Sequence, residues 1–126
     1  MTQHKADPRF SDPSRATRVI GQVDLIPMFA TMARFRSREQ RVQAMDEYFS
    51  GITLADSAEQ QAKSICLAIA TFAVHTREFR APWRETLSES ICQRAKQSKL
   101  GARCHVEDIR VLCDVAIAHV NCELFV

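Results

Sequence analysis

The sequence predicts an all-α fold, a single-domain bundle of about five helices with a flexible N-terminal arm. Apolar residues recur three and four positions apart through most of the chain, which is the spacing of one helix face. The β-branched residues follow the same spacing instead of alternating as they do in strands. The chain has 126 residues, the size of one ordinary domain, and only three glycines for the tight turns of a sheet.

Composition divides the chain into an arm, residues 1–18, and a helical domain, residues 19–126. The arm contains two of the four prolines and few apolar residues, so it cannot contribute to a core. The uncharged stretch 64–76 is shorter than the roughly 20 residues of a membrane span. No secretory signal is recognisable at the start, and five cysteines, an odd number, indicate reduced thiols. We therefore expect a cytoplasmic protein without membrane contact.

The first two predicted helices are separated by a change in the direction of the apolar stripe. Leu25, Met28, Phe29 and Met32 predict a helix over 25–36, with Pro27 in its first turn. The apolar residues that follow, Val42, Met45 and Phe49, form a stripe that is rotated about the helix axis by more than a third of a turn from the first stripe. A single continuous helix through both stripes would therefore bury a charged side chain. Ser37 and Gln40 have capping-box spacing and Gly51 can end the helix, which predicts a second helix over 38–50.

Three further helices complete the predicted bundle. Asp56 and Glu59 suggest a cap for a central helix that is apolar nearly all round between Ile65 and Val74, as expected of a helix surrounded by others. That helix should end before Pro82, which can open a fourth helix that stops near Gly101. The fifth predicted helix covers about 105–121. A central helix that is apolar nearly all round, with other helices to cover it, predicts a helical bundle.

Residues 104–122 contain three cysteines and two histidines, a composition that suggests a zinc site. Zinc requires four ligands that converge on one point, but His105 and His119 would lie about 21 Å apart along one helix. Only His119 and Cys122, three residues apart, can point at a common atom. We predict no metal and no cofactor, and retain His119 and Cys122 as the metal-ligand candidates.

Two groups of basic residues are candidates for a nucleic-acid contact, one at the break between the first two helices and one in the run 94–103. The candidate residues are Arg34, Arg38, Arg41, Lys96, Lys99 and Arg103. The formal net charge of +2 does not select a nucleic-acid partner. Glutamates precede the run 94–103, so the predicted helix begins with acidic residues and ends with basic ones. This order of charges stabilises a helix by opposing its dipole, and it explains the basic run without a nucleic-acid partner. A solvated surface is favoured, and one contiguous positive face would favour binding instead.

Catalytic signatures are missing from the sequence. It has no glycine-rich phosphate loop, G-x-S-x-G, H-E-x-x-H or C-x-x-C motif. His75 and Glu78 have the spacing of one di-iron ligand pair, but a second pair is lacking. A binding protein is therefore favoured over an enzyme. The alternative is a cysteine-based enzyme or redox sensor that uses Cys104, close to a predicted helix start where thiolates are stabilised, or the pair of His119 and Cys122.

The preferred interpretation is a small helical module that acts through protein contacts, as a regulator or adaptor, and self-associates. The central and fifth predicted helices are apolar on several faces, and the sequence closes with Leu124, Phe125 and Val126, which need a covering surface. Burial within one chain is the alternative. Trp83 is a further partner-binding candidate, either as an exposed anchor or as a clamp that joins the fourth helix to the central helix near Phe79.

Overall fold

The computed structural model describes residues 18–52, 57–75, 84–102 and 106–125. The helices are α1 (Phe29–Met32), α2 (Arg38–Ser50), α3 (Ala58–Ala73), α4 (Arg84–Gln97) and α5 (Val106–Phe125), with 3₁₀ turns at Ile26–Met28 and Lys99–Ala102. Residues 18–20 are also α-helical. These ranges contain no strand, and the all-α prediction is confirmed. No helix within them combines the length and apolar character that crossing a bilayer requires.

Helix α1 is shorter than predicted. The prediction of a helix over 25–36 is wrong at its C-terminal end, because regular α-helix stops at Met32. The bonding pattern changes at Arg34, whose N–H donates to the Thr31 carbonyl at 3.3 Å, and the Phe35 N–H donates to the Met32 carbonyl at 3.4 Å. These bonds span three residues instead of the four of an α-helix. The Arg36 N–H then donates to the Gln40 Oε1 at 3.1 Å.

Helix α2 has the predicted limits of 38–50. The Ser37 Oγ accepts the Gln40 N–H at 3.1 Å, and the Gln40 side chain accepts the Ser37 N–H in return. Gly51 is the C-terminal cap, and its N–H donates to the Glu47 carbonyl at 2.9 Å. The capping box therefore starts α2.

Helix α3 begins one residue later than the sequence analysis predicts. Ser57, not Asp56, is the N-cap, with its Oγ accepting the Gln60 N–H at 3.1 Å and the Gln60 side chain accepting the Ser57 N–H at 3.3 Å. Two overlapping pairs of residues have capping-box spacing here, and spacing alone does not choose between them. The helix ends at Ala73, well before the proline that the sequence analysis takes as its limit.

Helices α4 and α5 differ from the predictions mainly at their C-terminal ends. Helix α4 stops at Gln97 and a 3₁₀ turn follows, in which Gly101 lies so close to Lys96 that an added Cβ would overlap the Lys96 carbonyl oxygen. Helix α5 continues past the predicted end at 121 to Phe125. Leu124 extends the apolar stripe of Val120 and is half-buried against the core.

Helix α3 is the centre of the bundle, as its all-round apolar sequence predicts. It packs on α1, α2 and α5, while α4 packs on α5 and on the 3₁₀ turn 99–102. Ile65, Ile69 and Phe72 of α3 are almost fully buried. The guanidinium of Arg38, at the start of α2, stands 5.3 Å from the centroid of the Phe72 ring near the end of α3, so these two helices run antiparallel.

Candidate contact surface

A short turn before α1 lies on the surface of the bundle and has a defined shape. Asp24 Oδ1 accepts the Ile26 N–H at 3.0 Å, and the Met28 N–H donates to the Leu25 carbonyl at 3.0 Å. Pro27 restricts the backbone between them. The Leu25 side chain is fully buried and anchors the turn to the core. The side chains that point outward from this turn are therefore held on a fixed backbone.

Ile26 and Phe29 are the large apolar side chains that the described part of the chain leaves exposed. Ile26 exposes 69% of its surface and Phe29 exposes 42%. Side chains three residues apart are eclipsed in 3₁₀ geometry, so these two project from the same side of the turn. Single exposed apolar residues are ordinary on protein surfaces, whereas contiguous ones mark contact sites.

A recess of about 330 Å³ lies in the same segment, lined in part by Pro27 and Met28, although neither Ile26 nor Phe29 lines it. Its lining residues are Val19, Gln22, Val23, Asp24, Pro27, Met28, Glu59 and Lys63. Half of these residues are apolar, and Pro27 connects the recess to Ile26 and Phe29 because it lies between them in the chain. We call the recess together with Ile26 and Phe29 the turn face.

His119 joins the base of the turn face to α5. Its Nε2 lies 2.7 Å from the Val23 carbonyl oxygen. A carbonyl oxygen can only accept, so Nε2 carries the donated proton and only Nδ1 remains for another role. Cys122, the second metal-ligand candidate, is exposed. The described ranges contain no group of three or more side chains that could hold a metal ion.

One of the arginines near the start of α2 is buried and does not contribute to a surface patch. Arg41 is only 8% exposed, and its Nη1 donates to the Arg36 carbonyl at 2.7 Å. Burial, and then the charge of Arg38, lower the pKa of Arg41. Arg38 lies over an aromatic ring of α3, and Arg34 stands 5.5 Å from the centroid of the Phe35 ring. Arg41 therefore acts within the fold and is not available to a phosphate at the surface.

The second basic group lies at the opposite end of α2. The Lys99 N–H donates to the Oγ of Ser50 at 3.4 Å. Ser50 is the last residue of α2, about 18 Å along the helix from Arg38. Lys99 is exposed and Lys96 is half-buried, while Arg103 lies outside the described residues. Lys99 is thus separated from Arg38 by the length of α2, whereas Arg38 and Arg94 line one groove between α2 and α4.

Two arginines, one on α4 and one on α5, form ion pairs with acidic side chains. Arg94 is held by Asp46 through two bonds, Nε to Oδ1 at 2.9 Å and Nη2 to Oδ2 at 2.6 Å. The hydrogen bond with Asp46 raises the pKa of Arg94. Arg110 Nη2 lies 3.0 Å from Glu89 Oε1, and this hydrogen bond lowers the pKa of Glu89. Positive and negative charges therefore alternate on this side of the bundle.

A larger groove, of about 410 Å³, lies between α2 and α4. Its apolar lining includes Met45, Phe72, Leu87 and Ile91, but these residues expose only between 1% and 5% of their surface. Val42, which is half-buried, is the remaining apolar lining residue, so no large apolar side chain projects from the groove. The turn face, with its two projecting apolar side chains, is the stronger candidate for a protein contact.

The remaining candidate residues have different placements. Leu124 is half-buried against the core of its own chain. Trp83 lies outside the described residues, as do Cys104 and the side chain of Phe125. His75 is exposed just beyond α3. The partner-binding roles of Trp83 and Phe125 stay predictions.

The sequence analysis missed the turn face, although one signal for it was present. It placed Phe29 on the buried stripe and gave Ile26 no role. At about 100° per residue, Ile26 lies well off the stripe of Leu25, Met28 and Met32. An isoleucine in that position points away from the core, and this offset was the available indication of an exposed apolar surface.

No protein-family model, no curated protein and no solved structure matches this chain.

Proposed function

We propose that this chain is a helical protein-interaction module, of the kind that regulators and adaptors use, and that it self-associates through the turn face. The exposure of Ile26 and Phe29, whose neighbours in the chain Pro27 and Met28 line a recess, carries the proposal. Removing apolar surface from water stabilises a complex by about 25 cal/mol per Å² before the costs of association. Two large exposed side chains on a fixed turn are suited to that role.

A second copy of the chain suits the turn face because projections and recess lie next to each other. In a dimer with two-fold symmetry the same patch meets itself. Ile26 and Phe29 of each copy can then enter the recess of the other copy. The polar lining carries both signs of charge, with Asp24 and Glu59 negative and Lys63 positive, as a self-complementary contact requires.

The geometry gives less support to a nucleic-acid function. Arg41 is buried, Arg94 is bound to Asp46, and Lys99 lies at the other end of α2 from Arg38. A nucleic-acid surface concentrates cations on one face, whereas Arg94 and Arg110 are each paired with an acid. Protein contact is therefore the better-supported interpretation.

Sedimentation equilibrium tests the proposal. The wild-type chain, of 14.3 kDa, should approach twice its mass as its concentration rises toward about 1 mM, the upper range of weak dissociation constants. A chain with both Ile26→Ser and Phe29→Ser should remain monomeric. Both side chains are exposed, so circular dichroism should show the fold unchanged.

Val42→Ser provides the matched control. Val42 is half-buried and lines the α2–α4 groove, so this variant should associate as the wild type does. A wild-type chain that stays monomeric over the whole concentration range contradicts the proposal. Equal association by the wild type and the double variant contradicts it as well, because the contact would then lie elsewhere.

A further inference from the structure

The groove between α2 and α4 has the volume of a small-molecule site. It measures about 410 Å³, and none of its lining residues belongs to the turn face. Clefts that bind small ligands have volumes of about 300–1,000 Å³. No large apolar side chain projects from this groove, so it suits a small molecule that lies within it better than a protein surface.

The covered lining residues form an apolar floor that comes from three helices. Helix α2 contributes Val42 and Met45, α4 contributes Leu87 and Ile91, and α3 contributes Phe72. Spacings of three and four residues place each pair on one face of its helix. A ligand that occupies the groove therefore needs an apolar body to lie on this floor.

The two ends of the groove differ in charge. Toward the C-terminal end of α2, Asp46 Oδ2 lies 2.6 Å from Arg94 Nη2, so the charge of Arg94 is balanced. At the start of α2, Arg38 lines the groove, and its guanidinium stands 5.3 Å from the centroid of the Phe72 ring. Arg38 and Asp46 are about 12 Å apart along the helix. Arg38 and Arg94 therefore line opposite ends of the groove.

Positive charge accumulates at the Arg38 end. Arg41 Nη1 donates to the Arg36 carbonyl at 2.7 Å, which places its guanidinium beside the start of α2. Burial, and then the charge of Arg38, lower the pKa of Arg41, as expected of neighbouring cations. Within the described ranges the Arg41 Nε has no hydrogen-bond partner. Because the N-terminal end of α2 adds a partial positive charge, this end of the groove attracts an anion.

The acids near the groove do not cancel this charge. Glu89 lines the groove, but its Oε1 lies 3.0 Å from Arg110 Nη2 and its Oε2 accepts from the Gln93 side chain at 3.3 Å. Glu39 follows Arg38 in the first turn of α2, is exposed, and does not line the groove. The acid that lines the groove is therefore already neutralised by a cation outside it.

We propose that the groove is a binding site for a small carboxylic acid, whose apolar body lies on the floor and whose carboxylate is bound by Arg38. A guanidinium donates two parallel N–H bonds to a carboxylate, a geometry that an ammonium does not offer. A guanidinium that lies over an aromatic ring directs its N–H groups outward in its own plane. The site is separate from the turn face, so binding does not depend on self-association.

Octanoate is the probe, and amide NMR on the labelled full chain is the readout. Octanoate should produce saturable shifts at the groove amides of Arg38, Val42, Leu87 and Ile91, with a Kd below about 1 mM. Octanol has the same chain without the carboxylate. At matched concentrations it should bind about tenfold more weakly, the difference that one hydrogen bond to a charged group provides.

Arg38→Gln tests the assignment of the carboxylate to Arg38. Arg38 is exposed, so the variant should fold as the wild type does and bind octanoate about tenfold more weakly. Lys99→Gln is the matched control, because Lys99 is an exposed cation that does not line the groove. This control should bind octanoate with the affinity of the wild type, and an Arg38→Gln chain that does the same overturns the proposal.

Two results with the wild-type chain also overturn the proposal, and they do not depend on the folding of a variant. Groove amides that do not shift with octanoate, or saturable shifts confined to the turn face, show that the groove is not the site. Equal binding of octanol and octanoate shows that apolar contact alone is responsible.

Discussion

Helix α3 and the turn before α1 are both apolar in sequence, but they end in opposite environments. Ile69 at the centre of α3 is fully buried, whereas Ile26 in the turn exposes 69% of its surface. The two isoleucines are chemically identical, so the difference comes from what surrounds them. Helix α3 is packed by α1, α2 and α5, while the turn has the core on one side and its outer side is open.

This contrast distinguishes two roles of apolar residues in a small bundle, packing in the core and contact at the surface. Leu25, Met28 and Met32 face inward and stabilise the chain on which they lie. Ile26 and Phe29 do not take part in this core packing. Their exposed apolar surface contributes stability only when another surface covers it. The central claim of our account is that the uncovered side of the turn is a contact surface for a second copy.

The largest expected effect is the loss of stability when the covered isoleucine is truncated. Ile69→Ala should lower the free energy of unfolding by about 2–5 kcal/mol, because it leaves a cavity in the core. The matched change Ile26→Ala should lower it by less than about 0.5 kcal/mol. Both are measured by urea denaturation at concentrations where the chain is monomeric. Equal losses would mean that the turn is part of the core.

A smaller effect is expected at the bond that joins α5 to Val23, just before the turn. His119→Ala removes the Nε2 donor to the Val23 carbonyl and should cost about 0.5–1.5 kcal/mol, the net contribution of one hydrogen bond. His119→Gln can place an amide N–H near the Nε2 position and should recover part of that loss. The comparison is made by thermal unfolding. A Gln variant as unstable as the Ala variant would show that ring packing, not the hydrogen bond, stabilises this junction.

Local sequence rules predicted much of the fold and little of the candidate surface. The limits of α2 follow from Ser37, Gln40 and Gly51, whose interactions lie within a few residues of one another. The start of α3 was misplaced by one residue because Ser57 and Asp56 compete for the same role. A helix end is hardest to locate from sequence where two neighbouring residues can each provide the capping hydrogen bond.

The candidate surface depends on contacts between distant parts of the chain, which spacing does not specify. The recess brings Val19 and Val23 beside Glu59 and Lys63 of α3, and no local pattern predicts that arrangement. The same is true of His119, whose partner is the Val23 carbonyl. Its sequence neighbours suggested a metal ligand, whereas in the folded chain its Nε2 donates to the backbone.

The most direct test of the central claim is a dilution series followed by amide NMR on the labelled wild-type chain. We predict that concentration-dependent shifts are confined to the turn face, at Val19, Val23, Ile26 and Phe29, and to Glu59 and Lys63 at its edge. Amides along the α2–α4 groove should not move. Spectra that do not change with concentration, or changes centred on that groove, would contradict the account.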